Sequence, residues 1–181
     1  MKLRRMNFPT VQNFEVLPKT VCNLLIELFE GNLDKTEYIN EDHKPCFTQL
    51  NVNKVDSHIA KSLIPFVREA YSTYTDRVAN EFLPPFKYLE EFRIKRYLPG
   101  GDERFDEHVD VTNYDTSIRS LAFLFYLNEN DGHTHFPKHK LTFTPESGHV
   151  MMFPPTWEYP HAGLPPTTTT KYILSTYLHY G

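Results

Sequence analysis

Apolar and polar positions change rhythm once along this chain, near residue 85. Before that point the recurrence is helical. Leu24, Leu25, Leu28 and Phe29 fall on one helix face, with Thr20 placed to cap the start through its hydroxyl and Gly31 to stop the end. Val11 to Val16 reads as a short strand ahead of it, closed by Leu17-Pro18. Residues 32 to 54 carry mixed signals, including Pro45, and read as loop followed by a strand from Phe47 to Val52. Ser57 is the expected cap of a second helix from His58 to about Phe82, with Ile59, Leu63, Phe66, Val67, Ala70, Tyr74 and Val78 as its apolar stripe. Pro65 interrupts that stripe and predicts a kink or a break, because proline removes a backbone donor.

After Pro84-Pro85 the period becomes two. Glu91 to Leu98 alternates, with Phe92, Ile94 and Arg96 on one face and Arg93, Lys95 and Tyr97 on the other. Strands are expected at Phe105 to Val111, Thr134 to Phe136, Leu141 to Thr144, His149 to Phe153 and Tyr172 to Tyr180. The nearly unbroken apolar run Ile118 to Leu127 is expected to be a buried central strand. Seven or eight short strands separated by turns imply a sandwich or barrel, with the two helices packed outside. The fold class is therefore mainly β with flanking helices. One domain spans residues 1–181, divided into a helical support region with edge strands (1–88) and a β core (89–181).

Composition narrows the function. A net charge of −4 and a pI near 6.1 give no footprint for nucleic acid. The basic start Lys2-Leu3-Arg4-Arg5 is not followed by the apolar run of a signal peptide, and no stretch approaches the ~18 apolar residues of a membrane span. Cys22 and Cys46 read as free thiols of a reducing compartment, which makes a cytoplasmic location the expectation.

Among nine histidines, His108 alone is followed two residues later by a carboxylate, Asp110. In an extended strand the two side chains share a face, as adjacent ligands of one metal must. His161 is the leading third ligand. Two histidines and one carboxylate on one face of an ion is the arrangement of non-haem Fe(II) oxygenases. A separate metal site at His133, His135 and His139 is a rival, although no carboxylate or cysteine completes it. Lys171 opens the last strand, where it shares parity with Ile173, Ser175, Tyr177 and His179. A lysine there is placed to pair with a dicarboxylic acid bound to the metal.

These residues stand in an order that resembles a known family. Arg93 to Gly101 with Phe105 to Asp110, then Arg119 to Asn128, Asp131 to Pro137, Gly148 to Phe153, and His161-Ala162-Gly163 with Lys171 to Leu174 are similar to the successive motifs of the 2-oxoglutarate/Fe(II) oxygenases of the prolyl 4-hydroxylase type. The resemblance covers residues 89 to 180 closely and 11 to 30 loosely. It implies a double-stranded β-helix (jelly-roll) of two facing four-stranded sheets buttressed by helices. Fe(II) would be held by His108, Asp110 and His161. 2-Oxoglutarate would meet Lys171 through its far carboxylate, with Thr134 and Tyr97 in support. Arg119, His179 and Tyr177 would orient the substrate. By strand parity Arg119 goes with Leu121, Phe123 and Phe125, which would then form the pocket wall. Implied co-reactants are O2 and, as reductant, ascorbate.

The family pattern is not reproduced everywhere. Asp131-Gly132 replaces a pair of glycines, His133 stands where an acid is common, and Tyr177 stands where many relatives have tryptophan. Phe125 occupies a place where some relatives use tyrosine for the cosubstrate, which turns that role toward Thr134. The implied activity is hydroxylation of an unactivated C–H bond, with peptidyl proline as leading substrate and succinate and CO2 as co-products. The partner is then a peptide or protein, with a small molecule possible, and neither nucleic acid nor membrane. A free amino acid, a nucleobase or another side chain is the alternative substrate, and a non-catalytic metal- and 2-oxoglutarate-binding module is the alternative class.

Overall fold

The computed structural model describes residues 10–41, 45–79 and 81–181. The basic start Lys2-Leu3-Arg4-Arg5 and His43 lie outside these residues. Three α-helices occur among them: α1 (Lys19–Glu30), α2 (Val52–Val55) and α3 (Ser57–Val78). The strands are β1 (Gln12–Glu15), β2 (Glu37–Asn40), β3 (Cys46–Asn51), β4 (Tyr88–Leu89), β5 (Arg93–Tyr97), β6 (Phe105–His108), β7 (Arg119–Tyr126), β8 (Thr134–Phe136), β9 (Leu141–Phe143), β10 (His149–Phe153), β11 (His161–Gly163) and β12 (Lys171–His179).

The helix expectations hold in position and fail in detail at their ends. α1 begins at Lys19 behind Pro18, with no side-chain cap, so Thr20 lies inside its first turn. The cap of α3 is Asp56, not Ser57: its carboxylate accepts from the backbone N–H groups of His58 and Ile59 at 2.9 and 3.0 Å. α3 runs unbroken through Pro65 for 22 residues. The lost donor at Pro65 costs one hydrogen bond, while Leu63, Val67, Ala70 and Tyr74 bury a continuous stripe on the sheet. The helix ends at Ala79 in a left-handed conformation (φ 49°), short of the exposed Phe82. The strands β2, β4 and β11 were not anticipated. All three are short, with too few alternations to reveal a period.

Two sheets form. The larger has eight strands in the order β1-β10-β7-β12-β5-β3-β2, with β4 on β12, and the smaller has four in the order β6-β11-β8-β9. The expected pair of four-stranded sheets is thus present as a core, β10-β7-β12-β5 opposite the smaller sheet. The remaining strands are contributed by residues before 90: β1 pairs with β10, β3 with β5, and β2 with β3.

The central strand β7 has both faces buried, which explains its unbroken apolar sequence. Leu121, Phe123 and Phe125 pack with Ile94, Leu174 and Leu178 against α1 and α3. Ala122, Leu124 and Tyr126 face the smaller sheet and meet Tyr97, Phe136, Met151, Phe153, Ile173 and Tyr177. The pocket wall is therefore the even-numbered set, opposite to the parity expected. Arg119 nevertheless reaches the pocket, because the β7–β12 register shifts between Leu178 and His179 and sets Arg119 opposite His179.

One turn ties the N-terminal segment to this core. Gly148 has φ 87°, and its carbonyl accepts from both Val16 and Leu17 N–H at 2.9 Å. A Cβ there would lie 2.3 Å from the Leu17 carbonyl oxygen. Gly148→Ala is expected to destabilise the fold by roughly 2 kcal/mol or more, read as a lower midpoint in urea denaturation with an unchanged slope.

Candidate metal centre

β11 lies antiparallel to β6 with His161 opposite His108, and the two rings are 4.3 Å apart. β6 ends at His108, earlier than expected, because the backbone N–H groups of Asp110 and Val111 both turn onto the Pro155 carbonyl at 3.2 and 3.1 Å. Asp110 thus arrives by a bend rather than by strand alternation. The side chains still converge: His108 Nε2 is 3.5 Å from Asp110 Oδ1, and His161 Nε2 is 3.7 Å from Asp110 Oδ2. One ligand atom from each residue lies within 4.8 Å of the others, and among the described residues this is the cluster of three or more such groups able to hold a metal ion. His133, His135 and His139 are not brought together. His135 Nδ1 pairs with the Thr142 hydroxyl at 2.9 Å, and His139 Nε2 lies 2.7 Å from the Glu158 carbonyl.

Both histidines are oriented from behind. The Nδ1 of His108 lies 2.7 Å from the Asp106 carbonyl and that of His161 lies 3.1 Å from the Tyr159 carbonyl. With Nδ1–H donating to each carbonyl, both Nε2 lone pairs are left toward Asp110. Phe105 stacks on His108 at 3.4 Å, and His161 sits against Phe136 and Phe153. Burial pushes His161 down to about 4, so its imidazole is neutral at physiological pH, the form a metal ligand requires. Burial alone would raise Asp110, but His161, His108 and Lys95 together hold its carboxyl well below the usual range. Its Oδ1 accepts from the Tyr177 hydroxyl at 2.9 Å, while its buried Oδ2 has no hydrogen-bond donor. An ionised carboxylate oxygen without a donor is costly unless a cation completes it. The donor set of two imidazole nitrogens and one carboxylate oxygen fits Fe(II).

A residue absent from the sequence expectations braces this centre. Glu90 takes Nε and Nη2 of Arg119 in a bidentate pair at 3.0 Å, and Arg119 Nη1 donates to the Asp110 carbonyl at 2.9 Å. The Arg119 guanidinium also lies 4.1 Å over the Tyr177 ring, and His179 Nε2 is 3.7 Å from Glu90. Arg119, His179 and Tyr177 therefore stand together beside Asp110. No local motif marks Glu90; only its pairing across the sheet reveals it.

Behind the triad is a small cavity of about 30 Å³ whose lining includes Tyr97, Thr134, Leu124, Ile173 and Gly163. Lys171 is fully buried beside it. Its Nζ has no hydrogen-bond partner and lies 5.1 Å from the centre of the Tyr97 ring. A Cβ on Gly163 would stand 3.5 Å from that nitrogen, and one on Gly132 would press to 2.9 Å on the lysine stem. Gly132 thus leaves the room that the lysine stem occupies, while Gly163 lies in ordinary contact range of the ammonium. Burial, with some repulsion from Lys95, lowers Lys171 to about 7. Thr134 accepts from the Tyr126 hydroxyl at 2.7 Å, which leaves its own proton free to donate. Phe125 lies on the helix side of β7, so the tyrosine that faces this cavity's wall is Tyr126. Asp131 acts away from the cavity. It accepts from the backbone and hydroxyls of Thr167 and Thr168, and so fastens the loop before β12.

An outer cleft of about 500 Å³ opens on the other side of the triad, a size that suits a few residues of peptide or a small molecule. Its lining includes Glu90, Glu91, Arg93, Lys95, Arg119 and Tyr177 together with His108 and Asp110. Lys95, which sequence reasoning placed only by parity, lines both cavities. Burial lowers it to about 8, against the attraction of Asp110.

Comparison with known proteins agrees with this geometry. Residues 92–179 match the family profile described as 2OG-Fe(II) oxygenase superfamily. A protein of Acanthamoeba polyphaga mimivirus assigned as a prolyl 4-hydroxylase is 27% identical over 92% of this chain and 72% of its own length. Procollagen-lysine,2-oxoglutarate 5-dioxygenase 1 of Gallus gallus is also 27% identical over 98% of this chain, which spans 25% of that longer protein. The fold is similar to that of the viral collagen prolyl hydroxylase vCPH of Paramecium bursaria Chlorella virus-1, solved as a 2OG complex. The TM-score is 0.70 at 18% identity, over 98% of this chain and 100% of that one.

The buried, unpaired Lys171 yields a sign-definite expectation. Its ordinary value is 10.5 and its folded value about 7, so the unfolded chain binds the proton more tightly. The resulting cost is absent above pH 10.5, grows as pH falls, and is complete below about 7. Lys171→Met is therefore expected to stabilise the protein free of cosubstrate by ~2–4 kcal/mol near pH 6.5, with the gain shrinking toward pH 10. Urea titrations at the two pH values measure it.

Proposed function

We propose, from the premise that residues 92–179 of this chain belong to the 2OG-Fe(II) oxygenase superfamily, that this dioxygenase hydroxylates peptidyl proline. The observation that carries the reading is the placement of a buried His-Asp-His triad between two cavities. One holds an unpaired buried lysine nearby; the other is large enough for a peptide segment. In this reading His108, Asp110 and His161 hold Fe(II). Lys171 pairs with the far carboxylate of 2-oxoglutarate, and the hydroxyls of Thr134 and Tyr97 donate to the same molecule.

When bound, the metal and 2-oxoglutarate supply the oxidising power: one atom of O2 goes into succinate as CO2 leaves, and the other enters the substrate C–H bond as a hydroxyl. The chain's own residues do the rest. Burial keeps Tyr97 and Tyr177 protonated well above their ordinary value, so both remain donors. Tyr177 and the Glu90–Arg119 pair hold Asp110 in place from its side chain and its carbonyl. Phe105, Phe136 and Phe153 exclude water around the imidazoles. Arg119, His179 and Tyr177 border the side on which substrate enters, and we assign Arg119 chiefly to positioning, because Nε, Nη1 and Nη2 are all engaged.

A peptide partner is supported by the mimivirus relative's assignment and by the cleft's size. Ascorbate is the proposed reductant that keeps the iron ferrous. The whole chain is read as one catalytic unit, since strands from its first half complete the large sheet. No helix among the described residues is long and apolar enough to cross a membrane. The cytoplasmic assignment rests on the two free cysteines.

Incubation with Fe(II), ascorbate, O2, 2-oxoglutarate and proline-rich peptides is expected to give succinate and a peptide heavier by one oxygen in equal amounts. His108→Ala is expected to give neither. Lysine-rich peptides and free proline run alongside as competitors. Oxygen gain confined to either of those, or none at all above the His108→Ala control, would overturn peptidyl proline as the substrate.

A further inference from the structure

Three basic side chains reach the outer cleft from the large sheet: Arg93 and Lys95 on β5, and Arg119 on β7. Two of them are neutralised within the protein. Arg93 Nη2 lies 3.2 Å from Glu91, and Arg119 is held by Glu90. Among the described residues no carboxylate lies within salt-bridge distance of Lys95. Its ammonium instead rests 5.2 Å from the Phe47 ring and 5.9 Å from the Phe105 ring, and Phe105 is itself stacked on His108. Lys95 is half-buried, and contact with aromatic faces offsets only part of the hydration its ammonium gives up at the cleft wall. A carboxylate would offset far more, through a charge-assisted hydrogen bond.

The position of Lys95 says where such a carboxylate would be. Along β5, alternate residues share a face, so Tyr97, Lys95 and Arg93 form a row that runs from the inner cavity to the outer cleft. Lys95 is the member that lines both. The inner end of the row is already provided with a cation, since Lys171 stands opposite Tyr97 across the β12–β5 pairing. Of the acids that attract Lys95, Asp110 is engaged by Tyr177 within the candidate metal cluster and Glu90 is paired with Arg119.

We propose that Lys95 recognises a carboxylate on the substrate, within a few bonds of the carbon that is oxidised. The inference rests on the oxygenase reading of this site and deepens it: the substrate is a proline unit with an anionic neighbour. The carboxylate comes either from an acidic side chain next to proline in a peptide or from the free α-carboxylate of a terminal proline. The chemistry Lys95 reads is the same in both.

The test uses short blocked peptides with Asp, Asn or Lys beside a central proline, and a peptide ending in proline as free acid or amide. Calorimetric titration under anaerobic conditions, with Mn(II) and 2-oxoglutarate present, reads substrate binding without turnover. Hydroxylation assays with Fe(II) then give KM. For the intact protein, one acidic probe is expected to bind about tenfold more tightly than its neutral counterpart. Whether the Asp peptide or the free-acid peptide shows the preference identifies the source. Lys95→Met is expected to erase the preference with 2-oxoglutarate still bound, as a titration without peptide reads, and Lys95→Glu to transfer it to the Lys peptide. Thermal unfolding of both variants checks that they fold.

Equal affinity of the intact protein for acidic and neutral probes, absence of binding by both included, would overturn the proposal. So would a Lys95→Met variant that loses 2-oxoglutarate affinity but keeps the acidic preference, which would make the lysine a cosubstrate group. Failure of the oxygenase reading itself looks different: no succinate from 2-oxoglutarate with any probe.

Discussion

Everything at the pocket depends on one backbone pairing, that of β11 against β6, which stands His161 opposite His108. The two ligands are 53 residues apart in sequence, and the strand pairing closes that distance without any side-chain adjustment. Asp110 then needs only a short bend, held by the Pro155 carbonyl, to bring its two oxygens toward the two Nε2 atoms. Because the imidazoles are tied through Nδ1 to backbone carbonyls, the rigidity of the smaller sheet passes directly into the geometry of the centre.

The large sheet contributes in a different way. It separates two cores, one against the helices and one against the smaller sheet, and the buried Lys171 and His161 belong with the second. Lys171, Thr134, Tyr97 and Tyr126 are buried there among aromatic and aliphatic side chains. Such a cluster costs stability in the protein alone, and the cost is greatest at the unpaired Lys171 amine. Natural proteins retain buried charges of this kind where a ligand of opposite charge completes them. The small cavity beside Lys171, lined in part by Gly163, is where such a ligand would fit, and Gly132 leaves room for the lysine stem.

Much of this was legible in the sequence because strands declare themselves by period two and ligands by spacing. The order of motifs from Arg93 to Leu174 located the core strands, and the structure brings His108, Asp110 and His161 together, Asp110 by a bend where strand alternation was expected. Parity failed at Arg119, where a register shift in the pairing with β12 reverses the face, and with it went the assignment of Phe125 to the pocket. Neither a bulge nor a bend has a one-letter signature. Glu90 and Lys95 were missed for another reason. Each belongs to a charged neighbourhood, Glu90-Glu91 and Arg93 to Arg96, in which sequence cannot say which members turn inward and find partners. β2 lies in the stretch of mixed signals, and β4 and β11 are two- and three-residue strands that follow proline-bearing loops.

The central claim is that the triad and Lys171 form one site, in which the triad would hold the metal and Lys171 would pair with the far carboxylate of 2-oxoglutarate. Anaerobic titration of the protein with Fe(II) and 2-oxoglutarate, followed by the visible absorption of the ferrous chelate, tests it directly. The expected result is a band that saturates at one iron and one 2-oxoglutarate per chain, is absent from His108→Ala, and in Lys171→Met forms only at much higher 2-oxoglutarate. A band that forms equally well in His108→Ala, or one whose 2-oxoglutarate dependence is untouched by Lys171→Met, would contradict it.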